Sequence, residues 1–204
     1  MKKVFSLCLC LFVLMGCFMF PYTEVEAYPT NNGEYSIDYV NDLNTKYGLV
    51  TESELISMNV NEEATLDFVL RVLARLHYLE GHYNKTIDTL PNDTVKYCID
   101  NGIFDDCLDS YDVPLTRGAF TYLLINAIQN RDMLEINNVS DGAIPDIEVD
   151  YFYKDAVYKC YRYGLICGVD SEGTFITERP ITVYEVFVVL NRVMNPNLRQ
   201  MIKM

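Results

Sequence analysis

The sequence predicts an all-α protein: three helix–loop–helix repeats packed as one pseudo-threefold domain. Three observations point there. A short mark, an aromatic or polar residue followed by Gly and two apolar residues, occurs as Tyr47-Gly48-Leu49-Val50, Asn101-Gly102-Ile103-Phe104 and Tyr163-Gly164-Leu165-Ile166. Each mark is followed, 17, 14 and 18 residues past its glycine, by a threonine that opens a segment with helical apolar spacing: Thr65, Thr116 and Thr182. No long apolar–polar alternation of the kind a half-buried strand needs occurs anywhere.

Each element has its own local reason. Residues 28–34 form a lead-in, and repeat 1 covers 35–82. Its first helix is carried by Val40, Leu43 and Tyr47, and its second by Val69, Val72, Leu73 and Leu76. Repeat 2, residues 83–136, uses Val95, Cys98 and Ile99, then Phe120, Leu123, Leu124 and Ile128. A polar stretch, 137–143, reads as a linker. Repeat 3, residues 144–196, uses Ala156, Val157 and Cys160, then Val186, Val189, Leu190 and Val193, and 197–204 is a tail. In each repeat the glycine ends the first helix, because it adopts positive φ without steric cost. Thr182-x-x-Glu185 is a capping box, in which hydroxyl and carboxylate each satisfy an orphan N–H. A single two-helix unit cannot bury its apolar face, whereas three packed together can.

The N-terminus has the parts of a secretory signal: Lys2 and Lys3, an apolar run from Val4 to Phe20, and small residues at Val25-Glu26-Ala27. Cleavage after Ala27 is expected, giving a secreted protein with no membrane span in the mature chain. Leu14-Met15-Gly16-Cys17 also resembles a lipoprotein processing site, but Phe18-Met19-Phe20 continue the apolar run where a polar tether belongs. Half of the residues are hydrophobic and the net charge is −13. The first figure excludes global disorder, and the second argues against nucleic acid or anionic lipid as partners.

Four cysteines follow the signal: Cys98, Cys107, Cys160 and Cys167. An even count in an exported chain favours disulfides. Aligning Gly102 with Gly164 superposes Cys98 on Cys160, and the expected bridges are Cys98–Cys107 and Cys160–Cys167. A Cys98–Cys160 pair and four buried thiols are the alternatives, with zinc behind them because the spacings are not those of zinc knuckles. No cofactor or metal is expected. Asp105, Asp106, Asp109 and Asp112 lack the glycine and terminal glutamate of a calcium loop and read as a solvated acidic loop.

No enzyme is expected either. The two histidines, His77 and His82, are five residues apart and would diverge by about 140° on a helix, unlike a metalloprotease pair. There is no nucleophile elbow and no phosphate loop.

The order Ile144-Pro145-Asp146-Ile147, Tyr163-Gly164-Leu165-Ile166, Gly173-Thr174-Phe175 and Ile181-Thr182-Val183-Tyr184-Glu185 resembles a surface-layer homology (SLH) repeat of bacterial cell-surface proteins. Similarity spans about residues 35–196, clearest in repeat 3 and faintest in repeat 1. The resemblance implies a non-catalytic module that holds noncovalently to a secondary cell-wall polysaccharide, in grooves between repeats. The family's helix-start motif is Ile-Thr-Arg-Ala-Glu, whose arginine meets an acidic sugar. Leu115-Thr116-Arg117-Gly118-Ala119 keeps Thr and Arg, Ile181 to Glu185 keeps Thr and Glu, and Ala64-Thr65-Leu66-Asp67-Phe68 keeps only Thr. An arginine fork can hold a carboxylate in two hydrogen bonds, and leucine or valine cannot. The implied ligand residues are therefore Arg117 and Thr116, with Asp146 and the aromatic Phe152. Sugar stacking falls to Phe152 or to Tyr151 and Tyr153, since the chain has no tryptophan. With two of three arginines replaced, another surface protein is the alternative partner, and the fold then serves as an adaptor.

Overall fold

The computed structural model describes residues 37–79, 93–106 and 108–202. Within them lie seven α-helices: α1 (Ile37–Thr45), α2 (Glu52–Ser57), α3 (Leu66–Leu79), α4 (Thr94–Asp100), α5 (Arg117–Ala127), α6 (Lys154–Arg162) and α7 (Val183–Met194), then a 3₁₀ turn at Pro196–Leu198. Among the described residues there is no strand, only three isolated bridge pairs. Among the described residues no helix is long and apolar enough to cross a membrane. The all-α expectation is met.

The helix boundaries follow the signals in the sequence. Gly48, Gly102 and Gly164 sit at φ 64°, 70° and 69°, each just past a first helix. The chain then turns back on that helix: Ile103 and Phe104 donate to Cys98 O, and Leu165 and Ile166 donate to Cys160 O. Leu49 and Val50 donate to Leu43 O in the same way, with one residue more in the turn. At the second helices, the hydroxyls of Thr65, Thr116 and Thr182 accept from the N–H of Phe68, Ala119 and Glu185 at 3.2–3.3 Å. The capping box at Thr182 is complete.

A second capping box, Thr51 with Glu54, opens the short α2. Sequence reading missed that helix, although the Thr-x-x-Glu signature is present.

The apolar stripes of α3, α5 and α7 meet in one core. Val69, Val72, Leu73 and Leu76, then Phe120, Leu123 and Leu124, then Val186, Val189, Leu190 and Val193 are all buried. Each such side chain taken out of water stabilises by about 1.5–3 kcal/mol. α4 packs on α3 and α6 on α5, while α1, from the start of the described chain, packs on α7 at its end.

The segments leading into the three long helices bond to one another. Ala64 N–H donates to Ile181 O (2.7 Å), Ile181 N–H to Leu115 O (2.9 Å) and Leu115 N–H to Ala64 O (2.9 Å), so the three bonds close a ring. The next donors run round the ring in the opposite sense: Leu66 to Val113 O, Arg117 to Arg179 O, Val183 to Glu62 O, at 2.8–3.0 Å. So do Asp67 to Tyr111 O, Gly118 to Thr177 O and Tyr184 to Val60 O, at 2.9–3.0 Å. The first three N–H groups of each long helix, which have no partner within the helix, are thus satisfied twice by a neighbouring segment and once by threonine.

One expectation needs correction. Cys98, Cys160 and Cys167 are free thiols, so neither expected bridge is made; Cys107 lies outside the described residues. The physical reason is register. Cys98 and Cys160 stand where Leu43 stands in the first unit and are turned fully into the core. Cys98 Sγ lies 3.5 Å from Leu70 O, and burial pushes its thiol up to about 12. Cys160 is raised for the same reason, with a small opposing effect from Lys159. They act as small apolar side chains.

Asn137 heads the stretch read as a linker. It is buried and ties three segments together, donating to Tyr161 O and Gln200 O at 2.8 Å and accepting from Ile202 N–H at 2.9 Å.

Candidate functional site

Arg117 opens α5 and points into the molecule, only 4% exposed. Its Nε donates to Phe175 O at 3.0 Å, its Nη1 to Glu185 Oε1 at 2.9 Å, and its guanidinium lies 4.9 Å from the Phe175 ring centre. Arg179 donates to both oxygens of the same carboxylate. Glu185 also accepts from Thr182 N–H at 3.0 Å, closing its capping box. Burial pushes the Glu185 carboxyl up, but the charge of Arg117, with Arg179 and the Thr182 N–H behind it, overcomes burial and holds it below the usual carboxylate range.

At the corresponding places in the other long helices stand Leu66 and Val183, both buried. The ionic contact therefore belongs to one joint of the ring, between α5 and the segment running from Phe175 to Glu185.

Asp146 reaches that segment from the other side. Its carboxylate accepts from Phe175 N–H at 2.7 Å and Ile176 N–H at 2.6 Å. Ile176 is held at φ 57°, a left-handed conformation that costs a β-branched residue roughly 1–2 kcal/mol. Asp146 and Arg117 thus clasp Phe175 by its N–H and its carbonyl. Thr116 is 7% exposed and occupied as a cap.

Phe152 does not join them. It is half-buried and packs against Tyr122 of α5 (ring centres 6.0 Å apart) and Tyr153 (4.9 Å). Its neighbour Tyr151 does reach the joint. The Tyr151 hydroxyl lies 3.4 Å from Glu178 Oε1 and 1.9 Å from where a Cβ on Gly118 would be. The absence of a side chain at Gly118 therefore leaves the space that Tyr151 fills. Burial raises the Tyr151 phenol, with Glu178's charge adding to it, and burial likewise raises the Glu178 carboxyl. Sequence reading passed over Gly118, Glu178 and Arg179, which carry no motif signal of their own; their roles come from the fold.

The remaining candidates lie apart. His77 Nδ1 is 2.8 Å from Tyr97 Oη, and His82 is outside the described residues. Among the described residues no three of His, Cys, Asp or Glu are grouped to hold a metal ion.

A comparison with known proteins finds no matching family model, no matching curated protein and no matching solved structure.

Proposed function

We propose that this chain is an exported, non-catalytic cell-surface module: three SLH-type repeats in one pseudo-threefold domain, holding noncovalently to a cell-wall polysaccharide. The observation that carries the reading is the closed ring of backbone hydrogen bonds, to which each threonine-capped segment contributes one donor and one acceptor in the same register. The packing of α1 on α7, α4 on α3 and α6 on α5 supports it from the helices.

The sugar contact is assigned to the joint between the second and third repeats, with a change of residues. Arg117 is committed to Glu185 and Phe175 and serves the joint, so contact with the polymer passes to the half-buried Tyr151 and Phe152. Co-sedimentation of the mature chain with purified cell walls, before and after chemical removal of the polysaccharide, tests this. Retention that disappears with the polysaccharide supports the reading, and no retention on intact walls overturns it.

A second reading, a protein–protein adaptor, is favoured by the same burial of Arg117 and by apolar side chains left in water, Val149 (86% exposed), Met201 (85%) and Ile56 (80%). It requires retention on walls stripped of polysaccharide.

A further inference from the structure

The ring closes through three joints of unlike chemistry. In each, two N–H groups at the start of a long helix donate to the segment leading into another. Leu66 and Asp67 donate to Val113 O and Tyr111 O, and Val183 and Tyr184 to Glu62 O and Val60 O. Arg117 and Gly118 donate to Arg179 O and Thr177 O. Matching places are the residue just past one capping threonine and the residue three past the threonine that the segment leads to. Leu66 and Ala119 stand there in the first joint, Val183 and Phe68 in the second, all buried and apolar. Phe68 also meets Phe187 edge-on, ring centres 5.9 Å apart. The acids near these two joints face water: Asp67 pairs with Arg71 of its own helix at a surface site, and the exposed Glu62 accepts from Asn59. In the third joint the same two places hold Arg117 and Glu185, an ion pair at 2.9 Å.

Glu185 is faced by Arg117 from α5, by Arg179 from the segment before α7, and by the Thr182 N–H. Both guanidiniums reach its Oε1. Farther out, Tyr151 meets Glu178 beside Gly118, and the Asp146 carboxylate holds the N–H groups of Phe175 and Ile176. Protonating Glu185 removes the charge that two neighbouring guanidiniums share, at a site where burial weakens screening. The apolar joints carry no such repulsion. We propose that the contact between α5 and the 175–185 segment is an acid-opened seam, which releases while the other two joints of the ring stay closed. Asp146, with the Tyr161 ring 6.1 Å from that of Phe175, keeps the segment beside α6, so opening frees the start of α5. Glu185 titrates below the usual carboxylate range, so the seam is shut at neutral pH and opens as pH falls through that lowered value. Such sub-global openings precede unfolding where one part of a fold is held more weakly than the rest. The inference rests on the ring of backbone bonds and is independent of the polysaccharide reading.

The test is amide hydrogen exchange of the mature chain followed by NMR from about pH 6 down to about pH 2, each rate divided by its intrinsic value. As pH falls, protection of the Arg117 and Gly118 amides is expected to drop at least roughly tenfold further than that of Leu66, Asp67, Val183 and Tyr184. Arg117→Leu makes this joint apolar like the others and should cut the selective loss, read at the Gly118 amide, to under about threefold. Glu185→Gln should show the loss at about pH 6, without acid. If that variant fails to fold, the comparison of Arg117→Leu with the native chain decides alone. Six amides losing protection together, an apolar joint opening first, or full protection of Gly118 down to about pH 2 overturns the proposal. So does a selective loss that persists in Arg117→Leu.

Discussion

Replacing Glu185 with Gln is the most informative perturbation. Glutamine preserves volume and keeps an oxygen for Thr182 N–H, so helix capping is largely retained. What goes is the negative charge between the buried Arg117 guanidinium, at 5% side-chain exposure, and the half-buried one of Arg179, at 13%. Removing one partner of a buried ion pair costs about 3–5 kcal/mol, because the other charge stays buried without compensation. In a domain of this size each kcal/mol lowers the melting midpoint by roughly 2–4 °C, so a fall of roughly 6–20 °C is expected. Arg117→Leu, which installs the residue that stands at the corresponding place of α3 as Leu66, should cost less, about 1–2 kcal/mol. Glu185 would keep Arg179, and leucine packs well there. Urea denaturation followed by circular dichroism measures both variants. If Glu185→Gln costs under about 1 kcal/mol, or Arg117→Leu costs as much as Glu185→Gln, the triad does not hold the joint as argued.

Further outcomes follow from the same contacts. Since Glu185 titrates below its unfolded value, the stability it provides is complete above about pH 4.3 and is lost as pH falls through its folded value. Unfolding measured against pH should show that acid limb in the native chain and a flatter one in Glu185→Gln; parallel limbs would be evidence against the assignment. The raised Glu178 acts in the opposite sense, its penalty relieved as pH falls, so Glu178→Gln should raise the urea midpoint at neutral pH. Gly164→Ala should cost more than Gly102→Ala, because both need positive φ but only Gly164 has Gln200 O and Ile136 Cδ1 within 2.7 Å of the added Cβ. The excess should be roughly 1–3 kcal/mol by urea denaturation, and equal costs would sink the argument. In a thiol-labelling time course on the folded chain, the half-buried Cys167 should react while Cys98 and Cys160 stay protected until denaturant is added. Early labelling of Cys160 would show that its core position is wrong.

The parts of the fold legible in the sequence were those set by local chemistry. Glycines at positive φ, threonine caps and helical apolar stripes each act within a turn or two, and all lie where expected. The α2 helix was equally local and was missed because its six residues bury none of their side chains, leaving only the Thr51–Glu54 box to announce it. The site was less legible. Arg117 looks like a ligand residue in a motif, yet its burial depends on Glu185, 68 positions away. Nothing near Arg117 in the chain reports that partner. The cysteines misled for a related reason: sequence spacing shows that two thiols are near along the chain, but not that one of them faces the core.

The bond from Ala64 to Ile181 has a consequence for how such a chain can change in length. An open array of helical units grows by duplication, since each new copy adds one interface and leaves the others intact. Here every donor at the centre already has its acceptor, and α1 already covers α7. A fourth such segment would have to cut the circuit to enter it, or hang outside with its own donors open. The centre of the molecule therefore has places for three such segments, and differences in length are taken up in the loops between glycine and threonine, where the spacings are 17, 14 and 18 residues.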